Sequence, residues 1–366
     1  MHNKPKMKKS TKYSILFMAA VLVLTVFSIL KGESPQDILR EIRAADGRYL
    51  LLAVLCVLIY VMLQGVIIYL MCRALDMKES LRRCLLMAFH GYFFCNITPM
   101  QSGGPAIQIL DMKREGIRMP IACMIIFNMT FLFKAVLFAV TILLVLFGRG
   151  LIRTYMWAIL PLVILGIVLT IIFTILIGLL IFHTRFTKNA ALRLLRRAEK
   201  LHLIRRNAGR EERWIGLLDQ YKDAAGFFLT HKLLMLGLFL LTVVQRFTFF
   251  SSTYFVYRSF GFSEVSWLTV CLLQASINII ADLLPIPGGA GVSEATFLAV
   301  FRKVFGRYTK SGLLLSRGIT YYVQLIICGM MTVVAMVTFS LDRSRMGKFK
   351  KTNYDPEDVE EERYGR

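Results

Sequence analysis

Apolar residues run through this chain in stretches too continuous for the alternation of a strand or the three-to-four spacing of a half-buried helix. The longest cover 14–30, 49–72, 119–147, 157–182, 233–257 and 311–340. A helix needs about 20 mostly apolar residues to cross the hydrocarbon core of a bilayer, so the pattern predicts six spanning helices. The first stretch is short and follows Lys4, Lys6, Lys8, Lys9 and Lys12, as a signal peptide would. Val26-Phe27-Ser28-Ile29-Leu30 offers no small-residue cleavage site, so 14–30 reads as an uncleaved first span behind a basic cytoplasmic segment 1–13.

Two further apolar stretches are interrupted. The stretch 84–110 contains Asn96-Ile97-Thr98-Pro99-Met100-Gln101-Ser102-Gly103-Gly104-Pro105, and 265–309 contains Leu284-Pro285-Ile286-Pro287-Gly288-Gly289-Ala290-Gly291. Proline removes a backbone donor and glycine weakens a helix, and the amides and carbonyls so released must be buried in protein or face a watery cavity. Each stretch is therefore expected to be a re-entrant hairpin. Six spans and two such hairpins, starting inside, return the C-terminus to the cytoplasm.

Charge supports most of that count. Cytoplasmic placement suits Arg73, Lys78, Arg82 and Arg83, the connector 183–232, and Arg343, Arg345, Lys348, Lys350 and Lys351 in the tail 342–366. Arg302, Lys303, Arg307 and Lys310 disagree, falling on the outer side unless the second hairpin crosses fully. The unit 49–72, 84–110, 119–147 then runs opposite to the unit 233–257, 265–309, 311–340, within membrane halves 14–182 and 233–341. Paired Gly/Pro breaks in two oppositely oriented halves are the pattern of an inverted repeat with a binding site where the breaks meet; two unrelated kinked helices are the plainer alternative. In the connector, Ala190 to Arg206 spaces leucines against arginines as an interfacial helix does, and an ordinary basic loop fits equally. Beyond Tyr354 the chain turns acidic, as disordered tails do.

Composition fixes the class: 56% hydrophobic residues and a mean hydropathy of +0.60 are those of an all-α polytopic integral membrane protein. The net charge of +22 is accounted for by topology and anionic headgroups, without nucleic acid. Seven cysteines without a C-x-x-C pair, and five histidines without H-E-x-x-H, suggest neither a disulfide framework nor a metal site.

Within the apolar stretches, an ionisable side chain is a functional candidate because its burial is costly. Lys134 and Arg246 lie near mid-span, Asp282 and Glu294 flank the second break, and Arg317 enters the last span near its outer end. The two mid-span cations, one from each half, suit a phosphate or other anionic headgroup. They also suit a purely structural pairing with Asp282 and Glu294, and Arg317 suits snorkelling to the interface. Gly291-Val292-Ser293-Glu294-Ala295 only approaches a nucleophile elbow and lacks the strand and partners one needs. No P-loop or dinucleotide fingerprint is present, and no cofactor is implied.

At the two breaks the chain resembles the membrane domain of the multiple peptide resistance factor, the lysylphosphatidylglycerol synthase transmembrane or flippase-like family. The resemblance rests on Asn96-Ile97-Thr98-Pro99 through Gly103-Gly104, on Lys113-Arg114-Glu115-Gly116-Ile117, and above all on Leu284 through Glu294. It implies movement of an anionic or aminoacylated phospholipid between leaflets of the bacterial plasma membrane, and resistance to cationic antimicrobial peptides. Pro285, Pro287, Gly288, Gly289, Gly291 and Glu294 would then form one broken element, and Asn96, Thr98, Pro99, Gly103 and Gly104 the other. Relatives often carry a basic residue near Gln108. Full-length relatives add an aminoacyl-transfer domain, for which the 25 residues after Leu341 are too few. A lysyltransferase is therefore not expected here, while a polyprenyl-glycolipid carrier, a scaffold for a separate synthase, and a homo-oligomer stay open.

Overall fold

A computed structural model describes residues 35–98, 101–182, 226–228, 230–281, 291–336 and 338. The expected span 14–30, the stretch 190–206 and the tail lie outside these residues, as do Pro99, Asp282, Pro285, Pro287, Gly288 and Gly289. The described chain is helical nearly throughout, with no strand.

The helices are α1 (Pro35–Ala44), α2 (Gly47–Ala74), α3 (Leu81–Ile97), α4 (Gly103–Arg114), α5 (Met119–Phe147), α6 (Leu160–Phe182), α7 (Lys232–Ser259), α8 (Trp267–Ala281), α9 (Val292–Phe305) and α10 (Thr309–Arg317). After α10 the chain passes through a π-helical turn, Gly318–Val323, and stays helical over 324–336. Five described stretches are long and apolar enough to span a bilayer: Gly47–Ala74, Met119–Leu146, Leu160–Leu179, Lys232–Ser259 and Val292–Met336. The last is not one straight helix, because Gly306, with φ +53, reverses the chain between α9 and α10. Their outer faces carry rows of exposed apolar side chains, among them Leu51, Leu55, Ile59 and Met62 on α2 and Leu233, Leu236, Leu240 and Val244 on α7. In water such faces would be aggregation sites; in lipid they are the solvated surface. The protein is an all-α polytopic membrane protein.

Two features depart from the sequence reading. α1 was not foreseen: it is a short amphipathic helix whose Ile38 is buried against the core, while Glu41 accepts a 2.5 Å hydrogen bond from Ser311. Ten residues with few apolar positions fall below any span pattern, so only their docking reveals them. The link from α5 to α6 is also more structured than expected, with a helical turn Arg149–Leu151, a π-helical turn Ile152–Met156 and a 3-10 turn Trp157–Ile159.

α2 and α7 form the central pair. The Asp46 amide donates to the Ser259 carbonyl at 2.8 Å, and the Gln245 amide donates to the Tyr60 carbonyl at 3.1 Å. As residue numbers rise along one helix they fall along the other, so the two are antiparallel. Each is followed in the same order by a broken helical hairpin and another long helical segment, α3–α4–α5 after α2 and α8–α9–α10 after α7. Antiparallel pairing of the first helix of each unit is the relation that an inverted repeat needs.

The ends of the elements sort onto two faces. The Tyr308 ring lies 5.2 Å from that of Phe260, which together with the Asp46–Ser259 and Glu41–Ser311 contacts gathers the start of α2, the end of α7 and the α9–α10 turn on one face. On the other, Arg83 at the start of α3 pairs with Glu115 just after α4 at 2.7 Å. The two hairpins thus enter from opposite faces. α8 and α9 have 15 and 14 residues. At 1.5 Å per residue each reaches roughly 22 Å, short of a hydrocarbon core of about 30 Å.

Candidate functional site

The first break is built by a threonine. The Thr98 hydroxyl donates to the Phe94 carbonyl at 2.6 Å and accepts the Gly103 amide at 2.9 Å, ending α3 and starting α4 with one side chain. The arms then pack closely: a Cβ on Gly104 would stand 2.1 Å from the Cys95 sulfur and 2.8 Å from the Gly91 carbonyl. Gln108, near which relatives often carry a basic residue, lies buried between the arms and donates to the Met87 carbonyl at 3.4 Å. Deeper in the same seam His90 and Asp111, both fully buried, meet at 2.6 Å, and Arg114 reaches the other Asp111 oxygen at 3.0 Å. Sequence reading passed over this pair because its members lie 21 residues apart.

The start of α9, after the second break, is organised by Glu294. Gly291 takes φ +85, a left-handed conformation open to glycine, and starts α9. One Glu294 oxygen accepts the Gly291 amide at 2.5 Å and the Ser293 hydroxyl at 3.1 Å; the other takes Arg317 Nε at 2.8 Å, with a second guanidinium nitrogen at 2.7 Å. This corrects two expectations. The carboxylate is committed to Arg317 and its own helix start, not to Lys134 or Arg246. Arg317 does not snorkel; it turns inward.

Described residues flanking both breaks line one cavity of about 110 Å³. Asn96 and Gln101 line it from the first hairpin, and Gln274, Asn278, Ala281 and Ser293 from the second. Tyr60, Arg246 and Phe249, at the middles of α2 and α7, place it at mid-depth, with Arg317 and Tyr321 closing it from the last helical segment. The Tyr321 hydroxyl donates to the Asn96 carbonyl at 3.0 Å, a direct bond between the first hairpin and the second unit. The π-helical turn that carries Tyr321 is a device common at functional sites, because it shifts side chains out of helical register.

Arg246 is the most buried cation here, 3% exposed, and its guanidinium carbon stands 2.9 Å from the centroid of the Phe133 ring. Phe133 is α5's contribution to the lining; its neighbour Lys134 is half-buried outside that lining. Around the arginines runs a neutral network in which Thr253 bonds both Gln274 and Ser316 at 3.1 Å, and Gln245 donates to Gln64 at 2.8 Å. Among the described residues lining the cavity there are two arginines and no carboxylate. Asn96 Nδ2 makes no hydrogen bond to the described residues. Two guanidinium groups, that of Arg246 and that of the Glu294-bound Arg317, thus converge at mid-depth with an amide and several hydroxyls.

Of the residues singled out from sequence, Asn96, Arg246 and Arg317 line the cavity; Glu294 orients Arg317; Thr98, Gly103, Gly104 and Gly291 shape the breaks. Asp282, Pro99, Pro285, Pro287, Gly288 and Gly289 lie outside the described residues. Sequence reading missed Tyr60, Gln274, Asn278 and Tyr321. A neutral polar residue in an apolar helix is tolerated too often to mark a site; only its convergence with others marks these.

The sequence matches known proteins over most of its length. A membrane protein of the UPF0104 group from Pyrococcus horikoshii is 24% identical over 310 residues, covering 80% of this chain and 87% of the relative. The profile of the lysylphosphatidylglycerol synthase TM region matches residues 13–328. The chain belongs to the family of the lysylphosphatidylglycerol synthase TM region.

Proposed function

We propose that this protein is a lipid translocase that moves an anionic or aminoacylated phospholipid, of the lysyl-phosphatidylglycerol type, between the leaflets of a bacterial plasma membrane, with both termini cytoplasmic. By changing surface charge it contributes to resistance against cationic antimicrobial peptides. The observation that carries this reading is the placement of Arg246 and Arg317 in one mid-depth cavity where hairpins from opposite faces meet. A phosphate crossing the bilayer needs such donors at the depth where water is absent. Hairpins entering from opposite faces are elements that can uncover the same site to each leaflet in turn.

At about 110 Å³ the cavity is smaller than the roughly 300–1,000 Å³ of ordinary ligand pockets, so the arrangement is that of a closed state. Opening requires the first hairpin to part from the last helical segment. The Tyr321–Asn96 hydrogen bond is the tie that must break, while the Glu294–Arg317 pair holds one guanidinium in place throughout. Glu294 keeps Arg317 oriented, and the phosphate takes the donors that Glu294 leaves unused.

The test is fluorescent-lipid exchange in proteoliposomes, comparing phosphatidylglycerol, its lysyl ester, a polyprenyl-phosphate sugar and phosphatidylcholine. The account expects accelerated exchange of the phosphatidylglycerol-type lipids and loss of it in Arg246→Ala. Equal exchange of phosphatidylcholine would overturn headgroup selection. No exchange of any lipid by folded protein would favour a scaffold for a separate lipid-modifying synthase.

A further inference from the structure

The four cations that disagreed with the inside-out count come together in a cleft that shares no lining residue with the central cavity. Arg302 and Lys303 from the last turn of α9, Arg307 and Lys310 from the turn into α10, and Arg153 from the π-helical turn between α5 and α6 line one open cleft of about 1370 Å³. Its walls come from both units, and among the described lining residues there is no carboxylate. Arg307 is held in place: its guanidinium donates to the Tyr308 hydroxyl at 2.6 Å and lies 4.7 Å from the centre of that ring. Like charges gathered on one surface repel each other, and a bound anion relieves that repulsion.

We propose that this cleft is a second anion site, which takes the phosphate of an anionic phospholipid at the membrane boundary. Three features favour a lipid over a soluble anion. The cleft lies on the face where α2 starts and α7 ends, at the level where the spans end. Leu298 and Ala299 also line it, each one helical turn below a cation, Arg302 and Lys303 respectively. A charged mouth above an apolar wall matches a headgroup above an acyl chain. Trp157 at the rim is 68% exposed, as suits the interfacial belt where tryptophan accumulates. With both termini cytoplasmic, as proposed above, these cations fall on the outer side against the usual bias, and lipid capture accounts for them. The site does not depend on the central cavity. It would hold an anionic lipid next to the α9–α10 unit whether or not that lipid is the one moved.

The test uses full-length protein in nanodiscs, with Trp214→Phe and Trp267→Phe leaving Trp157 as the reporter. Quenching of Trp157 is titrated with bromo-acyl phosphatidylglycerol and with bromo-acyl phosphatidylcholine. The proposal expects phosphatidylglycerol to quench at roughly tenfold or lower mole fraction, given the attraction of anionic lipid to clustered cations. Arg302→Gln with Lys303→Gln and Arg307→Gln, all exposed positions, should erase the difference without loss of helicity. Arg246→Ala should leave it intact, which separates this site from the central one. Equal quenching by both lipids in the parent protein overturns the proposal. Relief of quenching by millimolar inorganic phosphate would overturn the lipid assignment, showing a site for phosphate alone.

Discussion

Arg246 concentrates the chemistry of the central site. The Arg246 guanidinium, 3% exposed, lies over the ring of Phe133; an ammonium could not stack or fork in the same way. Arg246→Lys is therefore expected to lose most of the function that Arg246→Ala loses. Hydrogen bonds to charged groups contribute roughly 1.5–3 kcal/mol, so both should slow lipid exchange by about tenfold or more; wild-type exchange in Arg246→Lys would show that point charge suffices. Glu294→Gln keeps the shape of the α9 start but removes the charge facing Arg317. The expected result is slower exchange with retained helicity by circular dichroism. Exchange at the wild-type rate would remove Glu294 from the mechanism. These residues were legible in the sequence because an ionisable group in an apolar helix is conspicuous. Lys134 was equally conspicuous, yet a neighbouring position on a helix points about 100° away, and it is Phe133 that faces the cavity.

At the scale of elements, the first hairpin depends on close approach of its arms. Gly104→Val should separate α3 from α4 at Cys95, with overpacking costs of about 1–3 kcal/mol or more, read as a lower Tm and a cavity open to thiol reagents at Cys95. An unchanged Tm would mean that the arms tolerate a wider seam. The base of the same hairpin carries a pH-sensitive contact. Burial, then the neighbouring Glu115 carboxylate, push the Glu79 carboxyl above its ordinary range, with Arg83 opposing. A carboxyl raised on folding stabilises the fold in its protonated form, so this contribution is full below the unfolded-state value and is lost as pH rises through the folded one. Glu79→Gln should flatten that slope in a Tm-versus-pH series; an unchanged slope would locate it elsewhere. The ends of α3 and α8 and the starts of α4 and α9 fall where Pro and Gly interrupt the apolar stretches. The Thr98 bridge, the buried His90–Asp111 pair and the docking of α1 were not readable in the sequence, because each depends on which surfaces the helices present after packing.

At the scale of the molecule, the antiparallel α2–α7 pair makes two similar units into one machine with a shared centre. Repetition of element order was visible as two interrupted apolar stretches, and the span count already set the two units in opposite orientations; contacts such as Asp46 to Ser259 show α2 and α7 antiparallel, as that reading requires. It predicts sidedness: single cysteines at Glu264 and Arg307 should react with an impermeant thiol reagent from one side of the membrane, and those at Lys78 and Arg114 from the other. Labelling of all four from one side would contradict the arrangement. The central claim is that a headgroup passes through the cavity beside the Tyr321–Asn96 bond. It is tested most directly by lipid exchange in a cysteine-free background carrying Asn96→Cys and Tyr321→Cys, joined by a short reducible cross-linker. The account predicts exchange that falls to the protein-free rate on linking and returns on reduction; exchange undiminished in fully linked protein would contradict it.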